Sequence, residues 1–135
     1  MKVLVIDGQG GGLGRQLVAA VKAGYPDVEV LAVGTNSAAT GAMLKAGADM
    51  AATGENSVEV ACRKADVIMG PVGIVIADSM LGEITPRMAA AVGQSQAGRI
   101  LIPVNMCDNI VVGIADLPMT KKVESAVEAL ADFIK

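Results

Sequence analysis

Residues 7 to 14 read Asp7-Gly8-Gln9-Gly10-Gly11-Gly12-Leu13-Gly14, with five glycines in the seven positions from Gly8. Such a run turns sharply and meets a ligand with no Cβ in the way. It follows the apolar run Val3-Leu4-Val5-Ile6 and precedes Leu13, Leu17 and Val21, which repeat at helical spacing. The loop therefore opens a helix, whose free N–H groups and dipole favour an anion. The chemistry this suits is the holding of a phosphate-bearing ligand, above all a nucleotide. The plain alternative is a tight strand-to-helix turn with no ligand.

The spacing is not G-x-G-x-x-G, because position 13 is leucine. It is G-x-x-G-x-x-G through Gly8, Gly11 and Gly14, and also G-x-x-x-G-x-G through Gly8, Gly12 and Gly14. Both spacings resemble short-chain dehydrogenase loops, but two parts of such an enzyme are missing. The ribose-binding acid expected at the end of the second strand is replaced by Gly34-Thr35-Asn36. Arg15 with Asn36-Ser37 would instead suit the 2′-phosphate of NADP. Tyr-x-x-x-Lys is also absent, since Tyr25 is the sole tyrosine and Glu29 stands four residues on.

The other candidate positions are strand ends. In an open α/β sheet, ligands bind beyond the carboxyl ends of the strands. Those ends read Asp7-Gly8, Gly34-Thr35-Asn36, Thr53-Gly54-Glu55-Asn56, Gly70-Pro71-Val72-Gly73 and Pro103-Val104-Asn105. Together with Gln9, Gly10, Gly11, Gly12 and Gly14, they make a polar, sterically open crest. The same residue types also serve as turn formers and caps. Candidate acid–base groups near the crest are Asp7, Glu55, Asp78 and Glu83. The chain has no histidine, so no Ser-His-Asp triad exists and the commonest metal ligand is missing. Cys62 and Cys107 match no redox or metal spacing and read as reduced, buried thiols.

The elements that must position these residues alternate strand and helix. Strands are expected at Lys2–Ile6, Glu29–Val33, Asp49–Ala52, Val67–Met69 and Arg99–Val104, with an edge strand at Ile110–Ile114. Helices are expected at Gly12–Ala23, from Asn36-Ser37 to Gly47, from Asn56 to Ala65, from Thr85-Pro86 to Gln94, and at Pro118–Ile134. Gly24 is read as a C-terminal glycine, Thr85-Pro86 as N-cap plus first-turn proline, and Asn56 with Glu59 as a capping box. The strands are continuous rather than alternating apolar runs, as in a parallel sheet covered on both faces. The expected fold is thus α/β, a Rossmann-like three-layer α/β/α domain over residues 1–135. Its doubly wound, mostly parallel sheet has five or six strands with the first central.

The composition agrees: 135 residues, 53% hydrophobic, with one Phe, one Tyr and no Trp. The net charge of −3 and scattered basic residues exclude the basic stripe and stacking aromatics of a nucleic-acid binder. The longest apolar stretch, Val67 to Ala77, is too short to span a bilayer, and with the first strand beginning at Lys2 no signal segment is expected. A cytoplasmic protein is expected. The apolar surplus in so short a chain, with sparsely charged segments such as Met88 to Val92, points to a homo-oligomer, most simply a dimer.

The whole chain resembles an uncharacterised bacterial family, a domain of unknown function of short Rossmann-like proteins with an Asp-Gly-Gln-Gly-Gly-Gly loop. The resemblance is carried by Val5 to Gly12, Gly34 to Asn36, Thr53 to Asn56, Gly70 to Ile74, Ser79 to Glu83 and Ile102 to Asn105. It implies the fold and no activity. Three readings stay open: a binder of a nucleotide or other phosphate-bearing metabolite, a small NADP-linked reductase or nucleotide-dependent enzyme using crest carboxylates, and an oligomeric interaction protein with a vestigial loop.

Overall fold

A computed structural model describes residues 1–104, 106 and 108–134; Asn105 and Cys107 lie outside the described residues. Five strands, β1 (Lys2–Asp7), β2 (Glu29–Gly34), β3 (Met50–Thr53), β4 (Val67–Pro71) and β5 (Gly98–Ile102), alternate with five helices. These are α1 (Gly12–Gly24), α2 (Ser37–Lys45), α3 (Glu55–Lys64), α4 (Pro86–Gln94) and α5 (Met119–Leu130). A single 3₁₀ turn, Val72–Val75, follows β4. The sheet order is β3-β2-β1-β4-β5 and every pairing is parallel. β1 is central as expected, with Val3 opposite Val30 on one side and Val67 on the other.

Alternation along β1 divides the core in two. Val3 and Val5 pack with Leu13, Leu17, Val18 and Val21 of α1, with Met43 of α2, and with Val123, Ala126 and Leu130 of α5. Leu4 and Ile6 face Val58 and Cys62 of α3 and Met88 and Val92 of α4 on the other side. All four β1 residues are fully buried, which is why the strand reads as an unbroken apolar run. Because all strands point the same way, Asp7, Gly34, Thr53 and Pro71 come to one edge of the sheet. That edge is the crest.

Two caps form as expected. Asn36 Oδ1 accepts the N–H of Ala39 at 2.9 Å to open α2, and Thr85 Oγ1 accepts that of Met88 at 3.1 Å to open α4, with Pro86 in the first turn. The capping box at Asn56 does not form. Gly54, at φ +105°, is the N-cap of α3, Asn56 lies inside the helix, and Glu59 pairs with Arg87 at 3.0 Å instead. A left-handed glycine already turns the chain into α3, so no side-chain cap is needed there. α1 runs through Gly24, and the Tyr25 N–H closes it on Val21 O.

The expected edge strand at Ile110–Ile114 is also absent. Residues 108–118 are exposed without a break, and Gly113 sits at φ +80°. Branched apolar side chains favour extended backbone only when a neighbouring strand covers them, and this segment has none in the described chain. No helix among the described residues is long and apolar enough to cross a membrane.

Candidate functional site

The glycine loop is built around the Asp7 carboxylate at the end of β1. Its Oδ1 accepts the N–H of Gly8 at 2.8 Å and its Oδ2 that of Gly14 at 2.7 Å. Asp7 is 3% exposed. Burial pushes its carboxyl above the ordinary range; the two N–H donors oppose that rise, and the nearby charge of Glu83 adds to it.

The glycines divide into crowded and open ones. Gly11 is held at φ +73°, where a Cβ would stand 2.8 Å from the Ala39 Cα of α2. A Cβ on Gly14 would stand 2.8 Å from Asp7 Cβ and 2.6 Å from Met43 Sδ, and one on Gly8 would stand 2.7 Å from Thr35 Oγ1. At Gly10 and Gly12 a Cβ would meet nothing within 4 Å. Packing therefore selects the Gly8, Gly11, Gly14 spacing over the one through Gly12. The N–H groups of Gly10, Gly12 and Leu13 have no acceptor among the described residues, whereas Gly14 donates to Asp7 and Arg15 to Gly11 O.

A second carboxylate reaches the loop from far along the chain. Glu83 Oε1 accepts the Gln9 N–H at 2.8 Å, the Thr35 hydroxyl at 2.6 Å and the Asn36 amide at 2.8 Å. These donors, the Thr35 hydroxyl foremost, hold the Glu83 carboxyl below its ordinary range. Oε2 has no partner among the described residues. Asn36 also donates to Gln9 O at 2.9 Å, so one side chain caps α2, braces the loop and orients Glu83. The turn that delivers Glu83 is unusual, because Asp78, Met80 and Leu81 all take positive φ (66°, 57° and 56°). Left-handed backbone costs a non-glycine residue about 1–3 kcal/mol.

The other candidate residues take simpler places. Gly34 lies against Thr40, and Gly70 against Ile6 O, so both serve close packing. Gly70, Pro71 and Gly73 are buried, and Gly73 O accepts the Ser79 hydroxyl. Thr53 Oγ1 lies 2.7 Å from Thr40 Oγ1. Glu55 accepts the Thr85 hydroxyl, with Arg87 at 3.8 Å. Asn56 lines a groove of about 400 Å³ between α3 and the β2–β3 face, with Leu31, Ala51 and Val60, away from the glycine loop. Arg15 is exposed on the first turn of α1. No cluster of three or more His, Cys, Asp or Glu able to hold a metal occurs among the described residues.

The structure thus brings Asp7, Gly8, Gln9, Thr35, Asn36 and Glu83 together. The sequence offered Glu83 as one acid among four, with nothing to join it to Thr35 and Asn36, which lie 48 and 47 positions away. Residue types that reach left-handed backbone readily would have been a signal, but of Asp78, Met80 and Leu81 only Asp78 is of that kind.

The chain belongs to the family described as Domain of unknown function (DUF3842), which matches residues 2–135. No curated protein sequence matches it. Among solved structures it is similar to apo histidine-tagged saccharopine dehydrogenase (L-Glu forming) from Saccharomyces cerevisiae, with TM-score 0.50 and 12% identity over 93% of this chain. The chain spans about a quarter of that protein, 24% of its length. A dodecameric FMN-dependent UbiX-like decarboxylase from Escherichia coli O157:H7 is similar over 98% of this chain and 76% of its own, with 18% identity and TM-score 0.47. The first of these likenesses supports the Rossmann-like α/β fold.

Proposed function

We propose that this member of a family of unknown function binds the phosphate of a nucleotide, or of another phosphate-bearing metabolite, at the open half of its glycine loop. The observation that carries the reading is the division of that loop. Gly8, Gly11 and Gly14 are consumed by packing, while Gly10 and Gly12 leave space above three N–H groups with no described acceptor. The positive end of α1 adds to their pull on an anion. Gly14, whose N–H is committed to Asp7, is not among the donors.

The test is a thermal screen against nucleotides, dinucleotides and sugar phosphates. A ligand at 100 times its dissociation constant stabilises the fold by about 2.7 kcal/mol, a melting shift on the order of 10 °C for a domain of this size. Gly12→Val should abolish the shift while circular dichroism stays native, because its branched side chain starts from a Cβ with nothing within 4 Å and grows into the ligand's space. A panel that shifts nothing in the wild type overturns the proposal.

Self-association is the second element of the reading. Ile110 and Val112 are 89% and 87% exposed. Apolar side chains so displayed favour a homo-oligomer, most simply a dimer. A cytoplasmic setting accords with a nucleotide ligand.

A further inference from the structure

We infer that Glu83 is the ribose-recognising acid of this site, so that the ligand is a nucleotide whose 2′-hydroxyl is free rather than phosphorylated. The inference rests on the phosphate reading above and adds the specificity. In doubly wound folds a carboxylate at the end of the second strand accepts the ribose 2′-hydroxyl, beside the glycine loop that holds the phosphate. Here the end of β2 is Gly34-Thr35-Asn36, which carries no acid. The structure supplies one from elsewhere. Thr35, Asn36 and Gln9 all donate to Glu83 Oε1, which fixes a carboxylate from the turn before α4 at the end of β2 and against the loop.

Oxygen Oε1 is saturated by these three donors, and Oε2 is left without a partner among the described residues. A carboxylate oxygen is an acceptor only, so it suits a hydroxyl donor and repels a second anion. The charge of Glu83 is felt at Asp7, where it adds to the rise of that carboxyl, and a 2′-phosphate beside Glu83 Oε2 would meet the same negative charge. Arg15 is the one cation of the α1 first turn and is exposed to solvent. The turn that carries Glu83 to this position holds three non-glycine residues, Asp78, Met80 and Leu81, in left-handed backbone.

The experiment compares matched ligands by calorimetry on the wild-type protein: ADP against 2′-deoxy-ADP, GDP against 2′-deoxy-GDP, and NADH against NADPH. A hydrogen bond to a charged group supports a preference of about tenfold or more for the free 2′-hydroxyl in each pair whose parent binds. Glu83→Gln should weaken the hydroxyl-bearing ligands by a similar factor and shrink the discrimination against NADPH. Equal binding within pairs, or tighter binding of NADPH, overturns the inference while leaving the phosphate reading intact. If none of the six binds but a sugar phosphate does, the inference likewise falls alone. If no phosphate compound binds at all, both fall. The deoxy comparison uses the unmutated chain, so a poorly folding Glu83→Gln cannot decide the result.

Discussion

The carboxylate of Asp7 accepts the N–H of Gly14 at 2.7 Å, so the first turn of α1 is partly satisfied by an anion from β1 itself. This contact packs the helix start onto the end of the strand and explains why Gly14 carries no side chain. It also means that Asp7 shapes the loop from beneath, while Glu83 lies against it from the side of β2. Asp7→Asn should cost about 1–3 kcal/mol by urea denaturation, since an amide turns an NH₂ toward one of two N–H donors. A neutral outcome would show that the lost bond is offset by relief of the buried charge.

The glycines should separate into two classes under substitution by alanine. At Gly12 the change adds a Cβ in open space on a helix, and at Gly10 it also meets nothing. Both variants should stay within about 1 kcal/mol of the wild type, and Gly12→Ala should gain from reduced freedom of the unfolded chain. Gly11→Ala and Gly14→Ala should each lose about 1–3 kcal/mol, through left-handed strain against Ala39 in one case and overpacking against Asp7 in the other. Urea midpoints of the four variants check the division. Equal losses at all four positions would mean that the loop is uniformly intolerant.

Acid should act on Asp7 and Glu83 in opposite directions. Folding raises Asp7 above its ordinary 3.8, chiefly by burial. Its protonation therefore favours the fold, and the gain accrues as pH falls through the folded value and is complete below 3.8. Folding lowers Glu83 below its ordinary 4.5, chiefly through the Thr35 hydroxyl. That contribution is whole above 4.5 and is lost as pH falls through the depressed folded value. Thr35→Val should thus be less stable than the wild type near neutrality, with the gap closing in acid, as followed by denaturation midpoints across pH. A gap independent of pH would assign the loss to packing instead.

The fold was legible because its signals are local. The apolar runs at Val3–Ile6 and Val67–Met69, and the caps at Asn36 and Thr85, act within a few residues of their own position. The capping box at Asn56 failed because Gly54 turned the chain first and Arg87, 28 positions from Glu59, claimed that side chain. Extended propensity at Ile110–Ile114 counted for nothing without a neighbouring strand. The glycine loop was visible as a loop, but which glycines matter depended on Ala39, Met43 and Thr35. Glu83 was least legible, since its role is defined wholly by donors brought together by the β1–β2 pairing.

Cys62 should be chemically quiet. It is buried on α3, and burial pushes its thiol up to about 11. The thiolate is the reactive species, so a buried neutral thiol reacts only when the fold opens. In a chain carrying Cys107→Ser, labelling by a disulfide reagent near pH 8 should be slow and should accelerate sharply across the urea transition. Rapid stoichiometric labelling under native conditions would show that α3 opens locally.

The exposed segment after β5 yields the last prediction. Ile110, Val111, Val112, Ile114 and Leu117 are 89%, 44%, 87%, 42% and 41% exposed, in a stretch where every residue from 108 to 118 faces outward. Large apolar side chains gathered this closely on a surface mark an interaction site, and a second copy of the chain is the simplest cover. Light scattering at micromolar concentration should give a multiple of the 13.6 kDa chain mass. Ile110→Asp with Val112→Asp should return it to 13.6 kDa, because two carboxylates would be buried unpaired in the contact. Both positions lie almost fully in solvent, so the double variant should keep its urea midpoint at dilutions where the wild type is a monomer. A wild-type mass of one chain at micromolar concentration would sink the prediction, and an unchanged oligomer in the double variant would move the contact to another face.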